Sequence, residues 1–470
     1  MTEYDLIVVG AGPVGENVAD FAVQGGLSAV LVEHELFGGE CSYWACMPSK
    51  ALLRPVQALR AARKVAGAAQ AVTGELDVSA VLARRDSFTN NWHDDGQVAW
   101  ATGAGIAVMR GHGRLTGVKE VAVTGPDGTE TVLTARHAVA VATGSDALVP
   151  DIDGLRAARP WTSREATSAK DVPGRLAIIG GGVVATEMAT AYAGFGAEVT
   201  LIARSGLLTG MEPFAGEAVA QALREQGATV LTGTGTTRVT RNGGEVTIET
   251  GDGKTITADE VLVATGRTPR TGDIGLDTVG ITPGKWLETD DTMLVRGFDW
   301  LYAVGDVAHR ALLTHQGKYQ ARAAGAVIAA RAAGQPVDDG PWGRHVATAD
   351  HQAVPQVTFT EPEVASVGLT AKAARDAGYE VRVVDFEIGN VAGAGVREDG
   401  YAGTARMVVD ERRKVLLGVT FVGPDIGDLL HSATVAVVGE VPIDRLWHAV
   451  PSYPTVSEVW LRLLEAYRRP

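Results

Sequence analysis

This chain of 470 residues reads as an α/β protein: two parallel-sheet domains, followed by a C-terminal α+β domain. Three observations predict that class. One strand–glycine turn–helix–strand pattern occurs twice, at 4–33 and at 175–204. Apolar runs that end in Ala-Thr-Gly also occur twice, at 138–144 and 261–266. Near the C-terminus, "EVRVVDFEI" and "GTARMVVDERRKVLLGVTFVG" alternate apolar and polar residues as antiparallel strands do, and helical "DLLHSATVAVVG" follows.

Composition narrows the function. The net charge is −14, and no long basic run offers the clustered Lys and Arg that phosphate backbones require, so nucleic acid is not an expected partner. No uninterrupted apolar run of about 18 residues marks a membrane span. The start, "MTEYDLIVVGAG", lacks the basic segment and cleavage site of a signal peptide, so a cytoplasmic location is expected. Two cysteines in a reducing compartment point to catalysis or metal binding rather than to a scaffold of disulfides.

The first unit, "YDLIVVGAGPVGENVADFAVQGGLSAVLVE", is a βαβ pattern in which Gly10, Gly12 and Gly15 match the dinucleotide fingerprint. The glycines supply a tight turn, close approach to a pyrophosphate and close helix–strand contact, and Glu33 at the second strand's end would accept hydrogen bonds from an adenosine ribose. The pyrophosphate would lie over the helix N-terminus.

Next comes "GGECSYWACMPSK", which holds both cysteines, Cys41 and Cys46. A disulfide so local closes a very small loop and adds little stability. In a regular helix the two would also be too far apart to bond, since bridged Cα atoms lie within roughly 7 Å. Cys41 is therefore expected in a loop or distorted first turn, with Cys46 near the start of a helix, where the positive helix end favours a thiolate. A redox-active pair is set against the plainer reading of inert buried thiols.

The second copy, "RLAIIGGGVVATEMATAYAGFGAEVTLIAR", carries Gly180, Gly182 and Ala185 in the fingerprint places. Its strand ends on Ala203 and Arg204 instead of an acid. An arginine pairs with a 2′-phosphate where an acid would repel it, so NADP is favoured over NAD. A surface arginine is the plainer reading. The two Ala-Thr-Gly strands place flexible backbone beside a ligand, and "WLYAVGDVAH" ends a strand on Gly305-Asp306, where an aspartate could bond a chain of hydroxyls.

These strings, with "VPQVTFTEPEVASVGLT" at 354–370, resemble the flavoprotein disulfide reductases, the family of glutathione reductase, dihydrolipoamide dehydrogenase and mercuric reductase, over nearly the whole chain. The resemblance implies an FAD-dependent NAD(P)H oxidoreductase. FAD would be held by Gly10, Gly12, Gly15, Glu33, Lys50, Thr143, Gly144 and Asp306, with His112 and Gly113 near its adenine end. The nicotinamide cofactor would use Gly180, Gly182, Glu187, Arg204 and Gly266. Cys46 would face the flavin as thiolate, Cys41 would attack the substrate, and Lys50 would pair with Glu187. The acceptor would be a disulfide, quinone or metal ion; no resident metal is expected. A non-enzymatic flavin/dithiol sensor is the reading from another class, and turnover separates the two.

One signature departs from the family. Disulfide-reducing members end in His-Pro-Thr-x-x-Glu, whereas this chain has "SYPTVSE": Glu458 matches the acid and Tyr453 stands in the histidine's place. A phenol, ordinarily with a pKa of about 10, is a poor base at neutral pH. His448, five residues upstream of Tyr453, is read either as a substitute for the missing base or, more plainly, as a structural histidine. Mercuric reductases share the tyrosine but carry a C-terminal cysteine pair; this chain ends "LRLLEAYRRP". Between the cysteines, Tyr43 and Trp44 are read either as stacking on a flat substrate or as core. The expected domains are an FAD domain (1–148 and 269–340), an NAD(P) domain (149–268) and a C-terminal dimerisation domain (341–470) that makes a homodimer with shared active sites.

Overall fold

The computed structural model describes residues 2–469, and the chain divides into two compact units. The first comprises Met1–Pro48, Arg85–Ala147 and Arg267–Asp350. It is built on strand β1 (Thr2–Val9), helix α1 (Pro13–Gln24) and strand β2 (Ala29–Glu33). The sheet runs in the order Ala107–Arg110, β2, β1, Glu130–Val141, Glu120–Thr124, His112–Gly117, with Leu301–Ala303 also paired to Glu130–Val141. Pairs that involve β1 and β2 are parallel, as is the Leu301 strand, while the strands from 112 to 141 join antiparallel.

Both faces of this sheet are covered, which is why its strands are apolar throughout rather than alternating. On one face Leu6, Val8 and Leu31 bury against Val18, Ala19 and Ala22 of α1 and against Ala321, Ala324 and Val327 of the helix Thr314–Ala332. On the other, Ile7, Val9, Val30 and Val32 meet Leu115, Leu276 and Leu301. Each fully buried side chain of this size contributes roughly 1.5–3 kcal/mol.

The second unit comprises Ser49–Arg84, Leu148–Gly266 and His351–Pro470. Its parallel sheet has the order Thr229–Thr232, Glu198–Ala203, Arg175–Ile179, Glu260–Val263, with the helix Val183–Gly194 after the second glycine turn. A three-stranded antiparallel sheet, Thr236–Asn242, Glu245–Thr250 and Thr255–Ala258, is inserted before the last of these strands. A five-stranded antiparallel sheet follows, in the order Pro355–Thr358, Glu363–Gly368, Val415–Gly423, Thr404–Asp410, Val381–Glu387. The helix Leu430–Val438 packs on its Glu363 and Val415 strands. Among the described residues, no helix is long and apolar enough to cross a membrane.

The two glycine turns are superimposable in their hydrogen bonding. The Gly10 N–H donates to the Val32 carbonyl at 2.8 Å and the Gly180 N–H to the Ile202 carbonyl at 2.9 Å. Both glycines have positive φ, 101° and 139°, and an added Cβ would lie 2.5 Å from the Ala142 oxygen in the first and 2.2 Å from the Ala264 oxygen in the second. Only glycine fits either place. The repeat seen in the sequence is thus a repeat of backbone geometry.

Candidate active site

In the first unit, the residues proposed for a dinucleotide converge on the end of β1. Gly12 lies against Gly39, whose added Cβ would sit 2.7 Å from the Gly12 Cα, so the chain after β2 folds back over the glycine turn. Glu33 ends β2 and is buried. Its Oε2 accepts the Ala11 N–H at 2.8 Å and its Oε1 the Glu35 N–H at 2.9 Å. Burial pushes this carboxyl up, but the bonds from His34 and the two backbone amides outweigh it and hold the group below the usual range. A fixed, ionised acceptor at the strand end fits the ribose of an adenine dinucleotide.

His112 Nε2 lies 2.7 Å from the Asp273 carbonyl oxygen, and its ring meets His34 edge to face; partial burial lowers its pKa. Gly113 backs onto Val32 and Val9. The Thr143 hydroxyl donates to the Arg270 carbonyl at 2.7 Å, and the Gly144 carbonyl accepts the Arg270 N–H. Asp306 Oδ2 accepts the Ser145 hydroxyl at 2.5 Å. The 142–145 segment runs beside the glycine turn, the Thr143 backbone N lying 3.0 Å from an added Gly10 Cβ, and it carries the Ser145 hydroxyl that meets Asp306.

The cysteines lie on two helical pieces. Cys41 belongs to a single turn, α2 (Gly39–Tyr43), and Cys46 is the first residue of α3 (Cys46–Arg63). The break at Trp44 (φ −135°) brings the thiols within hydrogen-bonding reach of each other, with no disulfide joining them. Cys46 Sγ also lies 3.3 Å from the Thr314 hydroxyl. The hydrogen bond with Cys46, then burial, pushes the Cys41 thiol up. Thr314 and Ser145 carried no signal in the sequence, because the fold alone brings them to these partners.

Tyr43 is core: it is 3% exposed, and its hydroxyl donates to the Phe37 carbonyl at 3.0 Å. The stacking reading is corrected for that residue, since a phenol held on the backbone has no face to offer. Trp44 remains partly exposed.

In the second unit, Lys50 Nζ lies 2.8 Å from Glu187 Oε2, and Glu187 Oε1 accepts the Phe359 N–H at 3.0 Å. The ammonium also stands 4.8 Å from the centre of the Phe359 ring. Glu187 is buried, whereas Lys50 is partly solvated. Lys50→Met would leave a buried carboxylate with one backbone donor, and is expected to cost about 2 kcal/mol, discounted from a fully buried pair. A lowered urea midpoint at unchanged slope would register it.

Because Val32 and Ile202 are equivalent in register, Ala203 takes the place of Glu33 and Arg204 that of His34. Arg204 is exposed, and among the described residues no carboxylate pairs with it. Gly182 faces open space. Gly266 follows the Glu260–Val263 strand, and its carbonyl accepts the Leu148 N–H at 2.9 Å.

The C-terminal signature is split by exposure. Tyr453 is 76% exposed and its neighbour Val450 85%, while Glu458 is only 6% exposed, with Oε2 buried and lacking a hydrogen-bond partner. His448 is exposed.

Comparison with known proteins adds a frame. The family profile described as pyridine nucleotide-disulphide oxidoreductase matches residues 4–332, and that family's dimerisation domain matches 354–463. A mercuric reductase of Staphylococcus aureus is 31% identical over 463 residues, spanning 97% of this chain and 81% of the relative. A dihydrolipoyl dehydrogenase of Thermus scotoductus is 32% identical over 479 residues, spanning 100% and 98%. Among solved structures, the Cu(II) complex of the HOCl-induced flavoprotein disulfide reductase RclA from Escherichia coli has a TM-score of 0.84 over 99% of both chains, at 22% identity.

Proposed function

The chain belongs to the pyridine nucleotide-disulphide oxidoreductases, enzymes that use FAD and NAD(P)H, and on that premise we propose that it passes two electrons through Cys46 and Cys41 to a quinone or soft metal ion. The observation that supports this most is the thiol pair itself, hydrogen-bonded together, with Cys46 at the start of α3 and beside the Thr314 hydroxyl. FAD, when bound, supplies the two-electron step between the nicotinamide and the sulfurs. The glycine turn, Glu33, Thr143, Gly144 and Asp306 bind and orient it. The helix end and the Thr314 hydroxyl stabilise negative charge on Cys46, while Cys41, which keeps a proton, is the thiol that meets the acceptor.

We ascribe 1–148 and 269–340 to FAD binding, 149–268 to the nicotinamide, and 341–470 to pairing of two copies. The exposure of Val450 and Tyr453 is that of a segment seated in a second subunit. The relatives named above make mercury and lipoamide the first two acceptors to compare with a benzoquinone. Anaerobic reduction by one equivalent of NADPH, followed by mixing with each acceptor, tests the reading. If lipoamide were consumed fastest, a dihydrolipoyl dehydrogenase-like function would replace it.

Arg204 is proposed to read a 2′-phosphate. A charge-assisted hydrogen bond is worth roughly 1.5–3 kcal/mol, so NADPH should exceed NADH in kcat/KM by about 10- to 150-fold, and Arg204→Glu should reverse much of that preference. Equal use of both nucleotides by both proteins would reduce Arg204 to a solvated side chain.

A further inference from the structure

We propose that the carboxyl group of Glu16, linked electrostatically through the Lys318 ammonium to Cys41, stores the second proton that accompanies two-electron reduction of the Cys41–Cys46 pair. The inference rests on the reading of that pair as the redox relay, and supplies what a chain with tyrosine in place of the terminal histidine otherwise lacks.

Glu16 sits in the first turn of α1, where its N–H donates to the Gly12 carbonyl at 3.0 Å. A carboxylate in a first turn ordinarily turns to water beside the positive helix end. This one is 7% exposed, and its Oε1 is buried with no hydrogen-bond partner. An unpaired oxygen in such a place is costly when charged and tolerable when protonated.

The surroundings connect it to the sulfurs. α1 packs along the helix Thr314–Ala332. On that helix Thr314, beside Cys46, and Lys318 lie four residues apart and so share a face. The Lys318 charge acts on both Cys41 and Glu16. The other groups that face Glu16 are Glu33 at the end of β2 and the Tyr43 hydroxyl on α2. That hydroxyl is committed to the Phe37 carbonyl. Burial raises Glu16 to about 7; Lys318 pulls it down and Glu33 adds to the rise. The group is therefore near its midpoint at neutral pH and responds to a new charge close by.

NAD(P)H and the disulfide give NAD(P)⁺, one proton and two sulfur anions. The released proton goes to Cys41, and Cys46 remains a thiolate. The added negative charge draws one solvent proton onto Glu16. Reoxidation by a quinone re-forms the S–S bond and returns both protons with the electron pair, giving the hydroquinone and an ionised Glu16.

The test is proton uptake by the holoenzyme, reduced anaerobically with one equivalent of NADPH in weak buffer containing a pH indicator, with thiols counted in parallel. Near neutral pH, where about half of the Glu16 carboxyls already carry a proton before reduction, wild type should take up at most about half a proton more per two electrons than Glu16→Gln, a difference that grows toward one proton as the pH is raised above the oxidised-state midpoint. In Lys318→Met the pH midpoint of uptake should move upward, because the ammonium favours the ionised carboxyl. Equal uptake by wild type and Glu16→Gln would overturn the proposal. Should Glu16→Gln not fold with its flavin, an unmoved midpoint in Lys318→Met would overturn it equally. If no new thiols titrate after reduction, the relay reading itself fails and takes this one with it.

Discussion

Cys46→Ser is expected to abolish the long-wavelength thiolate-to-flavin absorption of the two-electron-reduced protein, whereas Cys41→Ser should keep it. The asymmetry comes from position. Cys46 begins an 18-residue helix, whose positive end stabilises an anion over the first turn, and the Thr314 hydroxyl at 3.3 Å can donate to that anion. Cys41 lies in a single turn that has no such length behind it. Its thiol is pushed up first by the hydrogen bond with Cys46 and then by burial. One proton shared by two sulfurs is therefore expected on Cys41 rather than on Cys46. Both variants should lose turnover with every acceptor by roughly 10³-fold or more, since residues that act as a unit fail together. Absorption spectra recorded during anaerobic titration distinguish them. Persistence of the band without Cys46 would reverse the assignment of the two sulfurs.

Much of the frame around that pair is legible in one dimension because it repeats. Gly10 and Gly180 stand in turns that admit no side chain, and a buried parallel strand must be apolar, so two copies of one local rule announce two copies of one structure. The break between Cys41 and Cys46 is also inferable, since a continuous helix cannot bring the sulfurs together. What escapes is whatever depends on a partner distant in the chain. Glu16 looks like an ordinary first-turn acid until the helix Thr314–Ala332 covers it. Thr314 is an undistinguished helix-start threonine until Cys46 lies beside it. The inserted sheet at 236–258 is equally hard to read in one dimension: its strands are short, and their polar alternation is that of a sheet with one face in water. Tyr43 illustrates the same limit from the other side. Its neighbourhood in sequence suggested a role at the sulfurs, and its hydroxyl's bond to the Phe37 carbonyl assigns it to packing.

Glutathione disulfide and lipoamide are expected to be poor acceptors, and Tyr453→His should improve them. Opening a mixed disulfide expels a thiolate, which leaves faster when a positioned acid protonates it. The family's histidine does this with a glutamate to orient it; here a phenol, Tyr453, exposed in the single chain, stands in its place, while Glu458 is buried with one oxygen unsatisfied. General acid–base help is worth about 10²–10⁴-fold, so wild type should reduce a benzoquinone faster than either disulfide by a factor of that order. An imidazole at 453 would supply the missing acid and offer the Glu458 carboxyl a partner, so part of the deficit should return, with a bell-shaped pH profile absent from wild type. Adding Glu458→Gln to Tyr453→His should remove that gain, and the double-mutant cycle isolates the coupling between the two positions. The measurement is steady-state kcat/KM for lipoamide, glutathione disulfide and benzoquinone in wild type, Tyr453→His, Glu458→Gln and the double variant. Rapid reduction of either disulfide by wild type at neutral pH would defeat the argument, because an exposed phenol cannot supply that step. The proton would then have to come from elsewhere in the dimer, and the store at Glu16 would be the first group to remove.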